Sequence, residues 1–245
     1  MNIKNNTVLV TGGGSGIGLE IAKYFYDHGS EVIICGRRAE VLEEARGAMP
    51  NLHILVCDLS NAEERVRLVE NILVDFPQLN ILVNNAGMQQ FINLNELHSA
   101  EWGYLQTEIQ INLEAPIHLT ALLLSHLREK SNANIINITS GLGFVPYAAV
   151  PIYSATKAGI HSFTLSLRHQ LKNSGIGVLE IIPPAVNTDL GGKGLHTYGV
   201  DVKEFTLSVM NRLVNDEMEV GFGSSEEVRF FGKPENETRF KRMNG

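Results

Sequence analysis

The sequence predicts an α/β fold: a doubly wound parallel sheet of about seven strands with helices on both faces. Three observations carry that expectation. Short apolar runs alternate with longer amphipathic ones along the chain of 245 residues. The short runs are rich in Val, Ile and Leu without strict apolar–polar alternation, as strands covered on both sides require. A glycine cluster, TGGGSGIG at 11–18, follows directly on the first of them.

The strand candidates are Thr7–Val10, Glu31–Cys35, His53–Val56, Asn80–Val83, Asn134–Thr139 and Val178–Ile182, with a short seventh near Glu219–Phe222. Helix signals lie between them. Ile17, Ile21, Ala22 and Phe25 share one face, as do Val66, Val69, Ile72, Leu73 and Phe76. Alternation of this kind implies parallel strands joined by right-handed crossovers. Asn112–Leu127 and Tyr153–Leu171 are apolar around most of their circumference, which predicts full burial or packing against a second copy in a homodimer or homotetramer.

Composition narrows the function. A hydrophobic fraction of 44% suits one domain over 1–245, and no composition break marks a linker. No apolar run reaches spanning length, and Met1–Thr7 lacks a leader's apolar stretch, so a soluble, cytoplasmic protein is expected. The formal charge of −7 argues against nucleic acid and anionic membranes as partners. Cys35 and Cys57 read as buried reduced thiols, and no histidines pair at a metal-ligand spacing. No metal is expected.

A strand, a glycine turn and a helix together aim free main-chain N–H groups at a pyrophosphate. The strict G-x-G-x-x-G spacing is absent; Gly12, Gly16 and Gly18 stand as G-x-x-x-G-x-G. Gly12 turns the chain, Gly16 permits close approach, Gly18 lets the helix lie near the sheet, and Ser15 offers a hydroxyl. The second strand ends in CGRR, where Gly36 takes the place of an acid that would hold ribose hydroxyls. Arg37 and Arg38 follow, and their forks suit a 2′-phosphate, so NADP is expected, with NAD as the alternative.

YSATKAG sets Tyr153 and Lys157 at i and i+4 on one helix face. A phenol with a pKa near about 10 is a poor acid unless its anion is stabilised, and an ammonium one turn away is expected to do that. Tyr153 can then exchange a proton with a carbonyl oxygen while hydride reaches its carbon. INITSG ends an apolar strand in Ser140, where a hydroxyl can hold the same oxygen, and ILVNNAG brings Ala86 and Gly87 to the same crevice. In INLEAP, Pro116 has no N–H for the carbonyl of Asn112, so a water there, linking towards Lys157, is expected to feed protons to Tyr153; a plain helix kink is the other reading.

TGGGSGIG, Asp58 in VCDL, NNAG, Ser140, YSATK and PPAVNTDL, in that order over about residues 5–190, resemble the short-chain dehydrogenase/reductase family in its compact single-domain branch. The resemblance implies a seven-stranded Rossmann-type sheet and NAD(P)-dependent oxidation or reduction of an alcohol/carbonyl pair. It implies Asn112, Ser140, Tyr153 and Lys157 as the catalytic four. It also implies adenine contacts from Asp58 and Leu59, a carboxamide contact from Thr188, and cofactor contacts from Ile17, Asn85, Ala86, Gly87, Pro183 and Val186. Two departures stand out: Pro184 replaces the glycine that usually follows the first proline, and the family's last strand with its glycine pair is missing. VIICGRR and the ending resemble bacterial members found with teichoic-acid D-alanylation genes.

The segments expected to line the substrate pocket offer Phe91, Leu142, Phe144, Val145, Ile152, Leu190 and Leu195, which points to a small apolar or aromatic carbonyl rather than a sugar phosphate or carboxylate. Residues 184–215 read as a lid region around GGKGLHTYG, and 232–245 as a polar, solvated tail whose Phe240 and Met243 can also dock on a neighbouring subunit. Two rival functions remain. Enoyl reduction fits less well, because that branch spaces its tyrosine and lysine more widely. An NADP-sensing protein without turnover would have no need of Tyr153 and Ser140.

Overall fold

The structure is a computed structural model that describes residues 1–96 and 102–245. Seven strands form one parallel sheet in the order β3-β2-β1-β4-β5-β6-β7. They are β1 (Thr7–Thr11), β2 (Glu31–Gly36), β3 (His53–Val56), β4 (Leu79–Asn84), β5 (Asn134–Ile138), β6 (Gly177–Ile182) and β7 (Glu219–Gly221). The expected strands are all present. The family's last strand, missing by the sequence reading, stands as the short β7, and the fold is a doubly wound Rossmann-type sheet. Every residue of β1, β4 and β5 is buried, which explains why their sequences do not alternate.

Helices cover both faces. On one, α1 (Gly16–Asp27) meets α7 (Val202–Val214) through Phe25 and Phe205, both fully buried, and α2 (Ala39–Ala48) adds Leu42. On the other, α3 (Ala62–Asp75), α5 (Ala115–Leu127) and α6 (Pro151–Gln170) enclose Ile72, Leu119, Leu123 and Leu167. Local signals set the helix starts. Asn61 accepts from the N–H groups of Glu63 and Glu64, and Asp201 from those of Lys203 and Glu204. Most of the apolar surplus on α5 and α6 is absorbed within the chain, since Leu122, Leu124 and Phe163 pack half-buried on this core; Ile117 and Leu165 stay exposed.

The strand order reverses between β1 and β4, so the loops after these two strands open side by side at their carboxyl ends. Polar ties lock that point. Thr11 Oγ1 accepts from the N–H groups of Asn85 (2.9 Å) and Ala86 (3.0 Å), and Asn85 Nδ2 donates to the Thr11 carbonyl (2.9 Å). Deeper in, Asn84 Nδ2 donates to Asn137 Oδ1 and Asn137 Nδ2 to Thr164 Oγ1, each at 2.9 Å. Glu180, a lone acid in apolar β6, accepts from Thr139 Oγ1 at 2.8 Å and lies 2.9 Å from His161 Nδ1. That carboxylate raises the His161 pKa.

The end of the chain departs from the sequence expectation. After the short α8 (Ser224–Val228), residues 233–244 form helix α9 (Lys233–Asn244) rather than a loose tail. Asn244 seats it on the loop before α6: Oδ1 accepts from the Ala148 N–H at 2.6 Å, and Nδ2 donates to the Pro146 carbonyl at 3.2 Å. Pro at the second helical position and Glu235 in the first turn start this helix, and Lys241 and Arg242 close it. Its apolar residues are too few for periodicity to mark it as a packed element.

Candidate active site

One cleft of about 1380 Å³ opens at the strand-order reversal. The glycine turn forms its inner end. Gly12 and Gly16 adopt φ of +63° and +56°, a region that side chains rarely tolerate. A Cβ on Gly18 would stand 2.3 Å from Asn85 Nδ2 and 2.5 Å from the Gly12 carbonyl oxygen, and one on Gly12 would stand 2.9 Å from the Ala86 Cα. The glycines thus let the turn press against the loop after β4 and bring main chain at the start of α1 to the cleft wall. Ser15 precedes α1, and its side chain makes no capping bond, so the hydroxyl is available to a ligand. This is a cradle that side chains would fill, and it fits a dinucleotide pyrophosphate.

The remaining predicted contacts follow around the same wall. Ile17, Leu59, Asn85, Ala86 and Gly87 line the cleft, as do Pro183, Val186 and Thr188 further on. Arg37 and Arg38 line it after β2, and neither forms an ion pair among the described residues. Asp58 differs. Its Oδ1 accepts from the N–H and hydroxyl of Ser60 at 3.0 and 2.8 Å, and the residue is absent from the cleft wall that its neighbours Cys57 and Leu59 help to form. An Asx turn engages one oxygen of the carboxylate. Both cysteines are free and buried, and burial pushes the Cys57 thiol up to about 12. Among the described residues no cluster could hold a metal ion.

Three of the four predicted catalytic side chains converge on the cleft. Ser140 stands two residues after β5, and Tyr153 and Lys157 lie on α6, with the Lys157 Nζ 5.5 Å from the Tyr153 ring centroid. Lys157 Nζ donates to the Ile138 carbonyl at 2.8 Å, which fixes its side chain. Ser140 Oγ accepts from the Leu142 N–H at 3.1 Å. Burial pushes the Tyr153 phenol well above its ordinary value; a hydrogen bond with Ser140 opposes the shift, and Glu108 adds to it. Burial also pulls Lys157 down to about 8. The direction at Tyr153 is therefore opposite to the sequence expectation: desolvation outweighs the hydrogen bond with Ser140.

Asn112 stands behind these groups. A π-helical turn, Gln110–Glu114, carries it between α4 (Trp102–Ile109) and α5. Its Oδ1 accepts from the Met88 N–H at 2.9 Å, and its Nδ2 donates to the Met88 carbonyl at 2.8 Å and to Thr156 Oγ1 at 3.2 Å. The side chain is thus spent on clamping the segment after NNAG to α6, and Pro116 offers no N–H to the main-chain carbonyl.

Two charged residues went unforeseen. Glu108, one turn before Asn112, is fully buried, and both its carboxylate oxygens lack a partner among the described residues. Burial pushes it up to about 7, against the opposing pull of the Gln90 N–H and Lys157. Arg65, also fully buried, donates from Nη1 to the Leu59 carbonyl at 3.0 Å and from Nη2 to Glu114, joining the loop after β3 to the π-helical turn. Of the expected substrate wall, Phe91, Leu142, Val145 and Leu190 line the cleft. Phe144 instead packs on His161 with centroids 4.4 Å apart, Ile152 is off the wall, and Leu195 is exposed. Arg239 and Met243 of α9 join the wall unannounced.

Comparison with known proteins agrees with this geometry. The family model for the short chain dehydrogenases matches residues 6–198. The uncharacterized oxidoreductase DltE of Bacillus subtilis (strain 168) is 41% identical over 249 aligned positions, covering 100% of this chain and 98% of that one, which places the chain in a DltE-like subgroup. A short-chain dehydrogenase from Sphingobium yanoikuyae, solved in complex with NADPH, is 26% identical with a TM-score of 0.81 over 97% of this chain and 95% of that one. One from Burkholderia cenocepacia J2315, solved with NADP, shares the fold at a TM-score of 0.85, with 22% identity over 99% of each chain. The chain belongs to the short-chain dehydrogenase family and is an NAD(P)-dependent oxidoreductase.

Proposed function

We propose that the protein transfers hydride between NADP(H) and a small alcohol/carbonyl pair held against the apolar wall of the cleft. The observation that carries the proposal is the convergence of Ser140, Tyr153 and Lys157 on the cleft whose inner end is the glycine cradle. The dinucleotide supplies or receives the hydride. Ser140 and Tyr153 hold the substrate oxygen between their hydroxyls, and Tyr153 gives its phenolic proton to that oxygen in the reducing direction and removes one in the other. Lys157, anchored on the Ile138 carbonyl, stabilises the phenolate that results and holds the ribose. Asn112 keeps the floor in place, and its main-chain carbonyl, which Pro116 cannot serve, holds a water that returns protons towards Lys157.

The finer cofactor contacts belong to the same proposal: Gly12, Ser15, Gly16, Ile17 and Gly18 on the diphosphate, Asn85, Ala86 and Gly87 beside the ribose, and Pro183, Val186 and Thr188 at the nicotinamide. Leu59 packs on adenine, with Asp58 shaping that loop through Ser60. The loop 191–199 orders over bound ligands as a lid. Copies of the chain, one domain each, associate through the faces that leave Ile117 and Leu165 exposed. No described helix is long and apolar enough to cross a membrane, in keeping with a cytoplasmic setting.

NADP is preferred over NAD because Arg37 and Arg38 border the cleft without a carboxylate partner. Side-by-side titration with NADPH and NADH tests this. NADPH should bind at least about tenfold tighter, and Arg37→Ala with Arg38→Ala should remove most of that margin. Equal affinities in the unaltered protein would refute the preference. A panel of aldehydes and ketones with NADPH then tests turnover, and a protein that binds NADPH yet reduces nothing would be a sensor.

A further inference from the structure

The outer rim of the cleft contains a cation that the hydride-transfer chemistry does not use. Asn236, Arg239 and Met243 recur at helical spacing along α9, and Arg239 and Met243 reach the wall shared by Ser140 and Tyr153. Asn244 pins this helix to the loop between those two residues, so the rim is held in register with the catalytic hydroxyls. The Arg239 Nε is buried and has no hydrogen-bond partner, and its guanidinium forms no ion pair among the described residues. Glu235, one turn earlier on α9, turns away: its Oε2 lies 3.0 Å from where a Cβ on Gly232 would stand.

A half-buried guanidinium without a counter-charge costs free energy unless something pairs with it. The cleft wall supplies little opposition. Its carboxylates are Glu20 and Asp27 on α1, Glu44 on α2, and Asp189 next to Thr188; none comes from α9 or from the loop that α9 grips. The wall also includes Leu142, Val145 and Met243, so a guest there meets an apolar surface and a planar cationic fork. Such a fork matches carboxylate or phosphate with two parallel hydrogen bonds.

We propose that Arg239 receives an anionic group, a carboxylate or phosphate, on the end of the substrate remote from its reacting carbonyl. This inference rests on the hydride-transfer reading. It makes the substrate amphipathic, with an apolar body, and revises the expectation from sequence that a carboxylate or phosphate is disfavoured.

The test compares 4-carboxybenzaldehyde and 4-formylphenyl phosphate with the neutral methyl 4-formylbenzoate, at saturating NADPH. In the unaltered protein kcat/KM should favour at least one anionic aldehyde over the ester by about tenfold or more. Arg239→Gln should lower that ratio about 10- to 100-fold, chiefly through KM, and Arg239→Lys should restore part of it. Whichever anion is favoured identifies the group. A second measurement needs no turnover: benzoate or phenyl phosphate should raise the melting temperature of the NADP-bound protein, methyl benzoate should not, and Arg239→Gln should abolish the rise. Absence of any anion preference in the unaltered protein, or parallel losses on charged and neutral aldehydes in the variant, would overturn the proposal. Stabilisation by benzoate that depends on Arg239, without reduction of any aldehyde, would uphold the anion site and count against the hydride-transfer reading.

Discussion

The inner end of the cleft is lined by main chain and small residues, whereas its outer rim is lined by side chains on loops and short helices. At the inner end, Gly12 and Gly18 meet Asn85 and Ala86 with no room for a methyl group, and Thr11–Asn85 and Asn84–Asn137–Thr164 tie three strands and α6 together. At the rim, α9 is held to the loop before α6 by Asn244, and none of its residues is fully buried. In the proposed reaction, cofactor position and proton transfer therefore depend on the inner end. Substrate choice falls to the end where a side chain can change without disturbing the sheet.

The largest expected effect tests how tightly the inner end is built. Glu108 ionises near about 7 rather than at its ordinary 4.5 because burial disfavours its charge. The stability linked to its protonated form is fully present below 4.5 and is lost as pH rises through the interval to about 7. Glu108→Gln removes that loss, so at pH 8 the variant should be more stable by on the order of 3 kcal/mol, with no difference near pH 4. Urea denaturation at both pH values reads it. Equal midpoints at pH 8 would mean that water reaches the carboxylate. Gly18→Ala should be next, since its Cβ would sit 2.3 Å from Asn85 Nδ2. A cost of roughly 2 kcal/mol should appear as about 30-fold weaker NADPH binding. Gly47→Ala, with nothing within 4 Å, is the matched control. The smallest effect belongs to the rim. Asn244→Ala removes both exposed hydrogen bonds from α9 to the loop before α6, worth roughly 1 kcal/mol together, so KM for the best aldehyde should rise a few-fold while NADPH affinity holds. A fall in NADPH affinity as large as that of Gly18→Ala would erase the distinction between the two ends.

That same division decides what could be read from the chain alone. The strands announced themselves as apolar runs, and the glycine turn and Tyr153–Lys157 pair are spacings that local geometry turns directly into a site. Glu108 was hidden because its burial depends on how α4 meets the segment after β4, which no spacing encodes. Its one signal is an acid whose neighbours three residues to either side, Leu105 and Ile111, are apolar, a turn before Asn112. Glu180 carried a plainer mark, a lone acid in an apolar strand that had to find a partner. Asp58 shows a limit of motif reading: its position matched a motif, and the motif gave no sign that the Ser60 hydroxyl and N–H engage its Oδ1. Helix α9 was misread because its attachment rests on one asparagine instead of an apolar stripe.

The central claim is that the Tyr153 hydroxyl, set over the glycine-cradled dinucleotide, is the proton donor. Single-turnover oxidation of bound NADPH by an aldehyde, followed in Tyr153→Phe and the unaltered protein, tests it most directly. The account predicts a rate constant lower by about 10³-fold with NADPH affinity unchanged. An undiminished rate in the phenylalanine variant would contradict it.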